Sequence, residues 1–328
     1  MRVLVLGGTR FVGWAVVAEA LARGWATTVV NRGVTGSVPP GAEHLRGDRT
    51  APGGLAALAG REWDAVVDTW AGAASAVADS ARLLAGSVGH CVYVSSRSAY
   101  LPPWPLGITE DAPVRPPSFD GDADEGTSKA TGELAARQAF GDDRVLVART
   151  GLVLGPHEDV GRLPWWLYRM ALGGDVVAPG PPGLGLQYVD VRDLAAWLLA
   201  SADRRLVGTF NALSTPGHTT MGELLGACRD VTGSDARLRW VSPDAVLAAG
   251  VAPWSGLPIW IPEGHRLRPL HETNADRAAA AGLRCRPVRD TVSDTWRWLT
   301  GTGRAEAMRW ADPDLGIDPV VEAALLDR

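Results

Sequence analysis

The chain has 328 residues, 46% of them apolar and 21% charged, with a formal net charge of −5 and a pI near 5.7. That is the composition of a soluble globular protein with room for one large domain or two smaller ones. No basic block marks a phosphate-backbone surface and no apolar run reaches the ~18 residues a membrane span needs, so neither nucleic acid nor membrane is expected as a partner.

The first residues, Met1 to Gly8, run straight into structure with no charged leader or cleavage site, so a cytoplasmic location is expected. Val3 to Leu6 is an unbroken apolar run, the pattern of a strand buried on both faces. Phe11 to Arg23 has helical apolar spacing and stops at Gly24. Further strands are predicted at Thr27 to Val30, Ala65 to Val67, Cys91 to Val94 and Val145 to Ala148, with helices at Ala73 to Ala85 and Glu125 to Phe140. This alternation predicts an α/β fold with a doubly wound parallel sheet. After about Gly155 the texture changes. Prolines and glycines cluster at Pro179 to Gly185, tryptophans accumulate, and helices are predicted near 161–172, 191–202, 219–232, 274–281 and 288–299. We read this as a smaller, mixed substrate lobe of residues 156–187 and 213–300. A nucleotide-binding domain of residues 1–155 plus about 188–212 stands beside it, and a helical tail covers 301–328. Cys91, Cys228 and Cys285 form no C-x-x-C pair, and the six histidines show no ligand spacing, so no metal site is expected.

Between the first strand and the first helix runs Gly7-Gly8-Thr9-Arg10-Phe11-Val12-Gly13. Gly7 permits the tight turn and Gly13 allows close helix–strand packing. The helix N-terminus then offers free N–H groups to a pyrophosphate. The second strand ends in Asn31-Arg32-Gly33 with no acid for a ribose 2′-hydroxyl. Arg10 and Arg32 are placed to pinch a 2′-phosphate, which favours NADP(H) over NAD(H). Asp48 is expected near the adenine and Thr69 near the ribose.

Lys129 is the only lysine in the chain, against 31 arginines. A site that keeps lysine in such a background needs a compact ammonium on a flexible stem. The loop just described, Ser95-Ser96-Arg97-Ser98-Ala99-Tyr100, Lys129-Ala130-x-x-Glu133, Arg149-Thr150-Gly151 and Tyr188-Val189-Asp190 together resemble an extended, atypical short-chain dehydrogenase/reductase of the NAD-dependent epimerase/dehydratase family, over roughly residues 1–300. The resemblance implies a Rossmann fold and an NAD(P)-dependent oxidoreductase. It also implies a homodimer paired through the helices near 73–85 and 125–140. Ser96 matches the serine that orients the substrate oxygen, and Lys129 the lysine that binds the nicotinamide ribose. Four residues before that lysine the family carries a proton-exchanging tyrosine; here Glu125 stands there.

Residues 125 and 129 are i and i+4 on one helix, so both are expected to face the site. A carboxylic acid ordinarily titrates near ~4.3, far below the ~10 of a phenol. A carboxylate beside the reacting centre opposes an oxyanion but favours a cation such as an iminium. The leading expectation is an NADPH-dependent reductase of a small, aromatic or polycyclic imine, iminium or ketone in specialised metabolism. Glu125, Lys129 and Ser96 would be its catalytic residues, and Trp70, Tyr100, Trp165 and Tyr188 its substrate contacts. One alternative is an epimerase or dehydratase that uses bound NAD(P) without net redox change. Another is a non-catalytic NADP sensor or RNA-associated protein.

Overall fold

The computed structural model describes residues 1–303 and 312–327. Seven strands form the main sheet: β1 (Arg2–Leu6), β2 (Ala26–Asn31), β3 (Glu43–Arg46), β4 (Trp63–Asp68), β5 (Val88–Ser96), β6 (Val145–Thr150) and β7 (Gly208–Ala212). Their order is β7-β6-β5-β4-β1-β2-β3 and every pairing is parallel. The strand order reverses between β1 and β4. In an open sheet of this kind the ligand crevice lies at that switch point, beyond the carboxyl ends of the strands.

Among the described residues seven longer helices are α1 (Phe11–Ala22), α2 (Ala74–Leu84), α3 (Glu125–Phe140), α4 (Arg162–Ala171), α5 (Val191–Asp203), α6 (Met221–Thr232) and α7 (Val288–Trp298). Side chains alternate across a strand, and β1 shows the consequence. Val3 and Val5 pack with Val16, Val17, Leu194 and Leu198 of α1 and α5. Leu4 and Leu6 pack with Val77, Ala81, Ala135 and Phe140 of α2 and α3 on the other face. Both faces are therefore covered, which is why the strand sequences read as unbroken apolar runs. The polar strand β3, Glu-His-Leu-Arg, lies at the sheet edge and has no such run.

The second core has different members. Trp166, Leu167 and Met170 of α4 meet Leu225 and Cys228 of α6, with Trp260 and Val292. A parallel strand pair, Asp175–Pro179 with Arg237–Val241, joins the same lobe. Between these segments the chain returns to the main sheet with α5 and β7. A last helix, Pro319–Leu326, sets Leu325 into the second core and Glu322 against Arg169 at 2.8 Å. The expected tail helices otherwise fall partly on residues 304–311, outside the described residues.

Candidate active site

At the carboxyl ends of β1, β4 and β5 the structure has a cleft of about 550 Å³, lined by the glycine loop, β2–β3 residues, Trp70, Ser96, Glu125, Lys129, the 150–153 segment and residues of the second lobe. The loop has no room for larger residues. A Cβ on Gly7 would stand 2.5 Å from Thr69 Oγ1, and one on Gly13 would stand 2.7 Å from the Gly8 nitrogen. Gly7 and Gly8 also take left-handed φ values of 126° and 83°. Phe11 and Val12 open α1 with no acidic side chain in the first turn and no side-chain cap on its N–H groups. Those donors and the positive dipole end face the cleft, so the loop fits the pyrophosphate of a dinucleotide. Thr9 Oγ1 is held by Thr35 Oγ1 at 2.7 Å.

At the far end of the loop Asn31 is a brace. Its Nδ2 donates to the Gly7 carbonyl at 2.7 Å, and its Oδ1 accepts from the Gly33 nitrogen and lies 3.0 Å from His44 Nε2. Arg32 is exposed on the cleft wall. Arg46 Nε and His44 Cε1 would lie 3.4 and 3.5 Å from a Cβ at Gly33, so β3 adds basic side chains beside Arg32 that sequence reading missed. Arg10 has a partner across the cleft: its Nη2 is paired with Asp159 Oδ2 at 2.6 Å. The Asp48 carboxylate accepts from Thr50 Oγ1 at 2.6 Å and from Thr50 N at 2.9 Å; the first of these bonds chiefly lowers its pKa. Thr69 Oγ1 donates to the Leu6 carbonyl at 3.1 Å, fastening β4 to β1 under the loop.

Lys129 is 6% exposed. Its Nζ donates to the carbonyls of Trp70 and Val94, at 2.5 and 2.7 Å. Burial pushes its pKa down to about 8; Asp68, Glu125 and Glu133 pull the other way, and Arg49 acts with burial. Glu125 is the first residue of α3, behind the Asp124 cap. It is exposed at the cleft mouth. Among the described residues it makes no ion pair with Lys129; the lysine is anchored by main-chain carbonyls instead. Ser96 Oγ accepts from Ser98 N at 3.1 Å and from Ser98 Oγ at 2.9 Å. The residue that resembles the substrate-orienting serine thus keeps its own proton to donate. Behind it, Ser95 donates to Glu133 at 2.6 Å, and Glu133 holds Arg149 through both carboxylate oxygens.

The opposite wall comes from the second lobe. Asp159, Val160, Arg162 and Trp254 line the cleft, and none of them was singled out in the sequence. Arg162 lies with its guanidinium carbon 4.6 Å from the Trp254 ring centre. Its charge is felt by Glu158, and the Glu125 charge reaches it in turn. Glu158 itself is buried beneath α4, accepting from the Arg162 and Leu163 nitrogens, and burial raises its pKa to about 7.

Three residues expected to touch substrate lie outside the cleft lining instead. Tyr100 is fully buried, its hydroxyl donating to Asn211 Oδ1 at 2.7 Å beneath the Arg149 guanidinium. Tyr188 is 1% exposed and packs against His218 in the second lobe. Trp165 stands edge-on to Trp166, with ring centres 4.7 Å apart. The two tyrosines fill cores, as large aromatics ordinarily do, and half-buried Trp165 packs against the second core. Of the tryptophans, Trp70 and Trp254 reach the cleft. Trp70 is pinned by Nε1 donating to the Ala73 carbonyl at 2.9 Å.

Among the described residues no helix is long and apolar enough to cross a membrane. The model of the NAD dependent epimerase/dehydratase family matches residues 3–212. The Bos taurus epimerase family protein SDR39U1 is 30% identical over 276 residues, covering 76% of this chain and 86% of that protein. The Thermus thermophilus UDP-glucose 4-epimerase, solved with NAD, superposes over 92% of this chain and 100% of its own with a TM-score of 0.64 and 23% identity. The Bordetella bronchiseptica enzyme WbmH, solved with NAD+, gives 0.69 and 18% over 92% and 99% of the two chains. The solved structures share the fold; the sequence match, spanning the glycine loop, Ser96 and Lys129, carries the assignment. The chain belongs to the NAD-dependent epimerase/dehydratase family.

Proposed function

We propose that this chain is an NADPH-dependent reductase of a small C=N or C=O substrate, with an aromatic or polycyclic imine or iminium the better match, serving specialised metabolism. The observation that carries the reading is that one helix, α3, brings Glu125 and Lys129 to the cleft that the glycine loop opens, together with Ser96. The basic side chains of Arg32, Arg46 and His44 at the ends of β2 and β3 support a 2′-phosphate.

When bound, a reduced nicotinamide supplies a hydride. Lys129, fixed by two carbonyls, is the donor for the nicotinamide ribose. Ser96 offers its proton to the nitrogen of a neutral imine or the oxygen of a carbonyl; a fully substituted iminium needs none. Glu125 places negative charge at the cleft mouth, which favours a cationic acceptor over one that turns anionic. An iminium carbon that accepts a hydride becomes a neutral amine carbon with no proton transfer in that step. Such a substrate suits a helix that presents a carboxylate where a phenol would serve an alkoxide.

The test is NADPH oxidation, followed by nicotinamide absorbance, with 3,4-dihydroisoquinolinium and acetophenone as acceptors. The iminium is expected to react faster, and Glu125→Gln to lower its turnover by about 100-fold. Equal rates for wild type and Glu125→Gln remove Glu125 from the chemistry. The same carboxylate fits a general base, which keeps an epimerase or dehydratase as the second reading. Conversion of a substrate with no net change in coenzyme would select it.

A further inference from the structure

We infer that Arg97 is the receptor for an anionic oxygen group, a carboxylate or a phosphoryl, carried by the substrate close to its reacting C=N or C=O. This deepens the reading above and rests on the cleft being that reaction's substrate site.

Arg97 follows Ser96 and opens the short turn Arg97–Ala99 that ends β5. It is 3% exposed. Its Nε and Nη1 are buried without a hydrogen-bonding partner, and among the described residues it forms no ion pair. Among the described residues the other deeply buried cations are satisfied. Arg149 has Glu133, Arg268 has Glu272, and Lys129 has two carbonyls. Nearly buried Arg49 has Asp68. Burial of a charge without a partner is costly, so this guanidinium calls for an explanation. The Trp104 ring, 5.9 Å from its guanidinium carbon, gives only a weak cation–π contact.

Position connects this cation to the cleft. Ser96 on one side of it in sequence is a cleft wall, and so is Gly151, which packs on its stem. A Cβ on Gly151 would come 3.1 Å from Arg97 Cδ and 2.9 Å from Leu213 Cδ1. Only a glycine at 151 leaves room for the Arg97 stem, which packs against the back of that cleft-lining residue. Among its charged or titratable surroundings are Tyr100 and His271, neither an anion. Burial pushes the Arg97 pKa down to about 10, as expected where no counter-charge is present. A substrate that gives its reacting heteroatom to Ser96 would set an anion a few bonds away at Arg97. A 2-imino or 2-keto acid has that spacing, and so does a phosphorylated analogue.

The experiment measures binding without turnover, by calorimetry on the full chain saturated with NADP+, using benzoate, phenyl phosphate and benzamide as probes. Wild type is expected to bind an anion and not the amide. Tighter benzoate assigns a carboxylate, and tighter phenyl phosphate a phosphoryl group. Arg97→Met should weaken the anion by at least about tenfold, while Arg97→Lys recovers part of it. Melting of ligand-free Arg97→Met should occur at or above the wild-type temperature, because an unpaired charge leaves the interior; a merely structural arginine would lower it. The inference is overturned if wild type takes benzamide as well as the anions, or if Arg97→Met binds them unchanged. Should Arg97→Met fail to fold, the comparison of probes on wild type and on Arg97→Lys decides. Anion binding lost with Arg97 but no NADPH oxidation would keep this site and reject the reductase.

Discussion

Lys129 permits a prediction whose size follows from the structure. Burial moves its pKa from the ordinary 10.5 to about 8. A tenfold change in proton affinity is worth about 1.4 kcal/mol, so the charged form is disfavoured in the folded chain by about 3 kcal/mol. The direction is fixed by proton counts. Between pH 8 and 10.5 the unfolded chain holds a proton that the folded chain has released, so this residue's contribution to stability rises with pH. The penalty is fully present below pH 8 and gone above about 10.5. Replacing Lys129 by Met removes the ionisation and orphans two carbonyls, a cost that does not depend on pH. Guanidinium denaturation of wild type and Lys129→Met at about pH 7 and about pH 10.5 should therefore show wild type gaining about 3 kcal/mol relative to the variant on going to the higher pH. Taking the difference between the two proteins cancels the tyrosines and cysteines that titrate in the same range. A difference that stays flat across that interval would mean that the ammonium is solvated in the folded chain, in contradiction to a buried lysine at the cleft floor.

Two substitutions test the coenzyme half of the cleft. Gly13→Ala puts a methyl 2.7 Å from the Gly8 nitrogen; overpacking of that kind costs about 1–3 kcal/mol, and NADP+ affinity measured by fluorescence titration should fall by at least about tenfold, whereas unchanged affinity would show that the loop is not the pyrophosphate cradle. Arg32→Ser should weaken NADPH by about tenfold or more while leaving NADH within about twofold, and an equal loss for both coenzymes would take Arg32 away from the 2′-phosphate.

The sheet was legible because its central strands are covered on both faces, so burial wrote itself as apolar runs at 3–6, 65–67, 91–94 and 145–148, and as the β-branched run Thr-Thr-Val-Val at 27–30. The two strands without a distinct signal fail for identifiable reasons. β3 is a polar edge, and β7, Gly-Thr-Phe-Asn-Ala, is short and mixed. In the site, the loop glycines were readable from spacing, Ser96 and Lys129 from the family resemblance, and Glu125 from its place one helix turn before Lys129. The second-lobe wall was not. Arg162 is one arginine among 31, and its place beside Trp254 depends on how two distant segments fold together. The same limit explains Tyr100 and Tyr188. Their positions beside family-like motifs suggested the cleft, but aromatic side chains next to strand ends are drawn into whichever core closes over them. Arg97 was visible in the serine-rich motif, yet nothing in sequence says that a guanidinium lacks a partner.

The solitary lysine has a practical corollary. A chain with one side-chain amine, and that amine shut beneath two carbonyls, offers acylating reagents no exposed lysine to react with while folded. Modification at position 129 then becomes a clock for transient opening of the coenzyme pocket, readable by peptide mass spectrometry as one group added at that residue, and the clock should slow whenever a nucleotide holds the door shut.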